Sequence, residues 1–226
     1  MSNAAVFRQP LARTSLAEAA YEQLLDAILS GRLRSGTELS EVQLAAELQV
    51  SRTPIHEALR RLSADGLVRI TSSRQACVAE FTSRDVAAIY EMRMLLESAA
   101  VERATRLLAD EALDELREAA TSLADPESRG WTSKALQFDM QFHDQIAAAC
   151  GNERLRDDIR KYRHLVRALC RLTGNVDNLR AAYDEHLVIL RAMQARQPAA
   201  ASQAMTDHIA NRLAAVLREL PADDAS

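Results

Sequence analysis

Cysteine is scarce. The 226-residue chain has three, Cys77, Cys150 and Cys170, widely spaced and with no CxxC pair. This excludes a zinc ribbon and fits reduced thiols in a cytoplasmic protein. Glycine (six) and proline (five) are few, and aromatic residues make up 4% of the chain, against 48% hydrophobic and 27% charged residues. That balance describes a helix-rich globular chain. No apolar run approaches the roughly 18 residues of a membrane helix. The first residues lack the basic-then-apolar build of a signal peptide, so a cytoplasmic location is expected. No strong positive charge is present either: the net charge of −4 argues against indiscriminate binding to nucleic acid.

The charge that is present is clustered. Residues 51–75 carry Arg52, Arg60, Arg61, Arg69 and Arg74 against Glu57 and Asp65, a net of +3, whereas residues 1–50 carry −2. Around this patch the sequence punctuates itself. Leu16, Ala20, Leu24, Ala27 and Ile28 recur on one helical face, and Gly31 stops it. "SGTELS" turns the chain. Ser40 is placed to cap a short helix packed through Leu44 and Leu48, with Gln49-Val50 as a tight connection. Ser51 is placed to cap a third helix, with Pro54 early in it and Ile55, Ala58, Leu59 and Leu62 facing inward. Gly66 ends it. "LVRI" and "ACVAEF" read as two short strands around the polar tip "TSSRQ".

Three helices and a two-stranded ribbon describe a winged helix-turn-helix. Its third helix offers its first turn to base edges in the major groove. Ser51, Arg52, Thr53 and His56 lie there, with Arg52 suited to a bidentate contact with guanine. Arg60, Arg61, Arg69 and the wing residue Arg74 are placed for the DNA backbone. The competing reading is that these arginines form a solvated face.

After Phe81 the strand signal ends. Helical patterns follow at about 83–108, 110–124, 131–149, 152–172, 176–196 and 199–219, with breaks at Asp110, Asp125-Pro126 to Gly130, Gly151, Gly174-Asn175 and Pro198. Short loops between six helices predict an antiparallel bundle. The expected fold is mostly α, with domains at 13–80 and 81–222 and a frayed tail from Pro221. Within "FDMQFHDQI" (138–146), Asp139 and His143 stand four residues apart, about 40° around a helix, on a face flanked by Leu136 and Ile146. His186 falls on the stripe of Leu179, Ala182, Ile189 and Leu190, and His208 at the edge of the stripe of Met205, Ile209 and Val216. Either each is hydrogen-bonded separately in the core, or the four make an N₃O set for a divalent transition metal, Zn, Ni, Fe or Mn. His164 fits the pattern poorly and reads as a surface residue. Arg93 shares a stripe with Val86, Ile89, Leu96 and Ala100. It either pairs with Glu97 one turn on or forks toward a ligand carboxylate.

"GRLRSGTELSEVQLAAELQVSRTPIHEALRRLSADGLV" (31–68) resembles the DNA-reading domain of GntR-type transcription regulators. "YEMRMLLESAAVERA" (90–104), "FDMQFHDQIAAACGNERL" (138–155), "EHLVIL" (185–190) and "HI" (208–209) resemble the FCD effector-binding domain of that family's FadR branch, in its shorter, VanR-type form. The resemblance implies a homodimer on a pseudo-palindromic operator, acting as a repressor. It also implies a metal held by Asp139, His143, His186 and His208, and a small organic-acid effector that completes the metal and meets Arg93, with Asn211 as a further polar contact. Two departures stand out. His56 occupies the place of an arginine that contacts DNA in the family, and "SSRQA" lacks the wing's usual glycine. Two rivals remain at this point. One is a metal-dependent hydrolase on the same four residues, against which stands the lack of an HExxH motif. The other is a DNA-binding dimer whose bundle is purely structural.

Overall fold

The structure is a computed structural model that describes residues 16–71, 75–169 and 176–219. Arg74 at the wing tip, Cys170, the break at Gly174-Asn175 and the tail from Pro221 lie outside those residues. The chain divides into two compact units that part between Glu80 and Phe81.

The first unit runs α1 (Leu16–Leu29), β1 (Glu38–Leu39), α2 (Glu41–Glu47), α3 (Arg52–Ala64), β2 (Val68–Ile70) and β3 (Ala76–Val78). α1 packs on α3, and the core between them includes Leu24, Ile28, Ile55, Ala58, Leu59 and Leu62. The buried stripe of α1 runs through Ala17, Ala20, Tyr21, Leu24 and Ile28. It is rotated from the expected face because Tyr21 joins the core, and Leu16 is left exposed. Tyr21 stays inside by giving its hydroxyl to Asp65 Oδ2 at 2.7 Å. α3 starts at Ser51 as expected, but the Ser51 side chain makes no capping bond. Ser40 does cap α2, accepting from the N–H of Gln43. Gly66, at φ +79°, closes α3 in a conformation that suits a residue without Cβ. The ribbon is a three-stranded sheet rather than two, in the order β1-β3-β2, with Leu39 opposite Ala76 and Val68 opposite Val78. The stretch read as a turn therefore contains β1, which at two residues is too short to show alternation.

The described residues of the second unit form a bundle of six helices: α4 (Ser83–Leu107), α5 (Asp110–Thr121), α6 (Trp131–Ala149), α7 (Glu153–Leu169), α8 (Val176–Gln194) and α9 (Pro198–Glu219). Thr82 and Asp85 start α4 with a capping box: the Thr82 hydroxyl accepts from the N–H of Asp85, and the Asp85 carboxylate accepts from the N–H of Thr82. α4 packs most extensively on α9 and also on α6 and α7, while α8 packs on α9, α5 and α6. α6 and α9, which carry Asp139, His143 and His208, therefore both lie against α4, which carries Arg93, while α8, which carries His186, lies against α6 and α9. Leu136, expected to flank Asp139 inside, is exposed, because the buried face of α6 runs through Ala135, Phe138, Phe142 and Ile146. No helix among the described residues is long and apolar enough to cross a membrane.

Among the described residues, two helices end on a left-handed residue that is not glycine. After α2, Gln49 has φ 54°; its N–H reaches Ala46 O and the N–H of Val50 reaches Ala45 O. After α8, Arg196 has φ 52°, with the same pair of bonds to Met193 O and from Gln197 to Ala192 O. Both are Schellman endings, in which glycine is the usual occupant. Only Arg196 has a compensating role: its guanidinium donates to Thr105 O and Leu108 O, each at 2.8 Å, and to Asp110 Oδ1. Those carbonyls lie at the end of α4, where no helical N–H reaches them. Gln49→Gly is therefore expected to raise stability by about 0.5–1 kcal/mol, the left-handed cost less the added freedom of glycine. Arg196→Gly should lower it by about 1–2 kcal/mol through lost carbonyl bonds. Urea unfolding of the two variants checks the opposite signs.

Candidate metal centre and nucleic-acid interface

Four side chains from three helices converge inside the bundle. One donor atom from each of Asp139 and His143 on α6, His186 on α8 and His208 on α9 lies within 4.8 Å of the other three. His143 Nε2 is 3.2 Å from His186 Nε2, and Asp139 Oδ1 is 3.5 Å from His186 Nε2 and 3.8 Å from His143 Nε2. The three imidazoles are buried, with Phe142 stacked obliquely on His186 at 4.5 Å. Asp139 keeps 26% of its side chain exposed, the one partly open member of the group.

Behind these donors stands a second layer of charged groups. His143 Nδ1 donates to Glu97 Oε2 in a short hydrogen bond. The other oxygen of Glu97 accepts from Arg93 Nε at 2.7 Å, and Arg93 and Glu97 are both buried. His208 Nδ1 donates to Glu185 Oε2 at 2.8 Å. Arg163 Nη2 donates to Asp139 Oδ2 at 2.7 Å, which leaves Oδ1 turned toward the imidazoles. Burial alone would raise the carboxyls of Asp139 and Glu97. Arg163 with the histidines outweighs it at Asp139, and Arg93 with His143 at Glu97, so both lie below the usual carboxylate range. Burial pushes the imidazoles the other way: His143 is lowered to about 4, His186 falls well below its ordinary value, and His208 is lowered.

This donor set fits a divalent transition metal. Ionised carboxylates can only accept, so His143 and His208 carry their hydrogen on Nδ1 and turn the Nε2 lone pair to the common point. Lone pairs and a carboxylate oxygen facing one another repel unless a cation or proton stands between them. The separations of 3.2–3.8 Å are close to the roughly 3.0–3.4 Å expected of donors about 2.1 Å from one ion.

The two residues expected to meet an effector differ in place. Arg93 is buried, and its positive charge is near enough to His208 to help lower that imidazole. The pairing with Glu97 uses only Nε, and its two terminal nitrogens make no hydrogen bond among the described residues. Asn211 is exposed and gives its amide to Glu185 Oε1 at 2.8 Å, so it steadies the carboxylate behind His208. His164 is partly exposed and stands outside the cluster. Sequence reasoning missed Glu185 and Arg163 and saw Glu97 only as the partner of Arg93. The position of Glu185 beside His186 was the available signal, but its partner lies on another helix.

In the first unit, Ser51, just before α3, and Arg52, Thr53, His56 and Arg60 on it are exposed. All but Ser51 line a groove of about 1010 Å³ shared with Glu38, Glu41, Val42, Gln43 and Ile70. Free N–H groups at the start of α3 add an anion-friendly end. Arg61 belongs elsewhere: its guanidinium sits 4.1 Å over the Tyr21 ring and pairs with Glu18 at 2.6 Å, so it braces α1 instead of reaching for a phosphate.

Comparison with known proteins agrees with both units. The family model for bacterial regulatory proteins of the gntR family matches residues 16–78, and the FCD domain model matches residues 88–211. A regulator from Agrobacterium vitis, described as an uncharacterized HTH-type transcriptional regulator in the TAR-I ttuE-ttuC' intergenic region, is 33% identical over 137 residues, covering 58% of this chain and 78% of that one. The HTH-type transcriptional repressor GlaR of Escherichia coli is 28% identical over 84% of this chain and 90% of its own. The solved structure of E. coli McbR/YncC superposes with a TM-score of 0.76 at 22% identity, covering 91% of this chain and 99% of that one, which shows a shared fold.

The Arg93–Glu97–His143 chain has a direct consequence for stability. Glu97→Ala leaves a buried guanidinium and an imidazole without their acceptor. It is expected to cost about 3–5 kcal/mol, measured by urea unfolding in the presence of a chelator.

Proposed function

Since the chain belongs to the GntR family of bacterial regulatory proteins and carries an FCD domain, as a DNA-binding transcription regulator and not an enzyme, we propose that its operator binding is governed by a small organic acid sensed at a metal centre in the bundle. The observation that carries this reading is the convergence of Asp139, His143, His186 and His208, with all three imidazoles buried and two of them aimed by a carboxylate.

These four residues would hold a divalent transition metal, with Zn, Ni, Fe and Mn all suited to three imidazoles and one carboxylate. Once bound, the ion supplies open positions for a carboxylate oxygen. Arg93 offers its terminal nitrogens to the same anion, while Nε stays with Glu97. Arg163 keeps Asp139 presenting a single oxygen. To regulate DNA binding, the acid must bind the DNA-competent and incompetent arrangements with different affinity. The protein acts in the cytoplasm as a homodimer, whose two-fold axis matches a pseudo-palindromic operator. Ser51, Arg52, Thr53 and His56 face base edges and Arg60 the backbone, with Arg74 assigned to the backbone from sequence alone. The direction is repression, in keeping with the GlaR relative's description as a transcriptional repressor, and the acid relieves it.

The first test is metal analysis of the purified protein followed by thermal shift. A ligand held only by the folded state stabilises it by about 2.7 kcal/mol at a hundred times its Kd. Chelation is expected to lower the melting temperature of the wild type and to leave His143→Ala/His186→Ala unchanged. An equal response in both proteins removes these residues as ligands. In the metal-loaded wild type, a panel of sugar acids, hydroxy acids and dicarboxylates should contain at least one member that raises the melting temperature and shifts operator affinity together.

A further inference from the structure

The groove beside α3 holds a contact that the metal centre does not explain. Glu41, the first residue of α2, reaches across to the recognition helix. Its Oε2 accepts from Arg52 Nη2 at 3.2 Å, and its Oε1 lies 2.8 Å from His56 Nδ1. The hydrogen bond from His56, followed by that from Arg52, holds the Glu41 carboxyl below its usual range, against the effect of burial. An ionised carboxylate only accepts, so His56 Nδ1 carries the hydrogen. In a neutral imidazole the other nitrogen, Nε2, is then a lone pair. Nε2 makes no hydrogen bond among the described residues. The His56 side chain is 58% exposed and lines the groove beside Arg52, Thr53 and Arg60.

We propose that Glu41 determines what His56 reads: with Nδ1–H committed to Glu41, Nε2 accepts a hydrogen bond from an exocyclic amino group, adenine N6 or cytosine N4, in the major groove. The chemistry is the reverse of that of an arginine in the same place. A guanidinium carries only donors and selects the N7 and O6 acceptors of guanine. A lone pair meeting those acceptors, or O4 of thymine, has no hydrogen to share. Arg52 retains Nε and Nη1 for a guanine or a phosphate, so one glutamate sets a donor and an acceptor side by side on α3. Both side chains are held before DNA arrives, so less rotamer freedom is lost on binding. The inference rests on α3 being the reading helix.

The test uses the intact chain at pH 8. A preferred duplex is first selected from a random pool, and single bases are then replaced by analogues lacking one group: purine for adenine, 2-pyrimidinone for cytosine, 7-deazaguanine for guanine. By fluorescence anisotropy, wild type is expected to lose about three- to tenfold in affinity when one exocyclic amino group per half-site is removed, the range set by one hydrogen bond of ordinary net strength. His56→Ala should be indifferent at that position and remain sensitive elsewhere. Glu41→Ala should keep the selected motif but lose at most about twofold there, because its imidazole is free to take either tautomer. Equal losses in wild type and His56→Ala at every amino group overturn the proposal. So does a His56-dependent loss that follows 7-deazaguanine, since the ring would then be donating. Failure to select any motif overturns the assignment of α3 as the reader, and with it this inference.

Discussion

The bundle depends on one buried carboxylate. Glu97 sits between a guanidinium and an imidazole that are equally cut off from water. A charge in such a place is tolerable only if its partners satisfy it, and each partner in turn needs Glu97. The result is a chain of obligations running from Arg93 through Glu97 to His143. That chain fixes the tautomer of one imidazole and spends only one of the nitrogens of Arg93. The same economy recurs at Glu185, which aims His208 while being steadied by Asn211 and Arg212. A core that needed only stability would have filled these positions with leucine. A polar arrangement this complete is better explained by what it presents at its centre: three nitrogens and an oxygen with no protein donor shared among all four.

The reader shows the same principle at an exposed surface. There Glu41 is not forced into its pairing by burial, and the energy of each contact is correspondingly small. What it provides is orientation. A histidine ring has two faces of hydrogen-bonding character, and a carboxylate behind one nitrogen decides what the other can do. Glu97 and Glu185 in the bundle and Glu41 on the reader thus share one chemical device, a carboxylate that fixes which imidazole nitrogen is left as a lone pair.

Much of this was legible in the sequence, and the failures have physical reasons. The helices were readable because their apolar positions recur every three to four residues and their ends carry Ser, Thr, Gly or Pro. Asp139 and His143 were readable as a pair because one turn separates them. The cross-helix partners were not: Arg163 and Glu185 carry no mark of which distant residue they will meet, and Glu97 already had a plausible neighbour in Arg93. β1 was lost because two residues cannot display a period. Leu16 and Leu136 show the limit of stripe arguments, since a bulky neighbour such as Tyr21 or Phe138 can turn the buried face enough to leave a leucine in water. Arg61 shows the limit of charge counting, because an arginine in a basic patch can be committed to its own protein.

The Arg196 staple bears on how the polypeptide matures during synthesis. The contacts of the reader are made within its own short span, so it can assemble as soon as it leaves the ribosome. The bundle cannot follow suit. Its first helix depends on its last for most of its packing, and the final carbonyls of that first helix wait for a guanidinium 91 and 88 positions downstream. Until that residue is translated, α4 ends in water. The bundle is therefore completed only once Arg196 and α9 have been made, well after the first unit has all of its own contacts in hand.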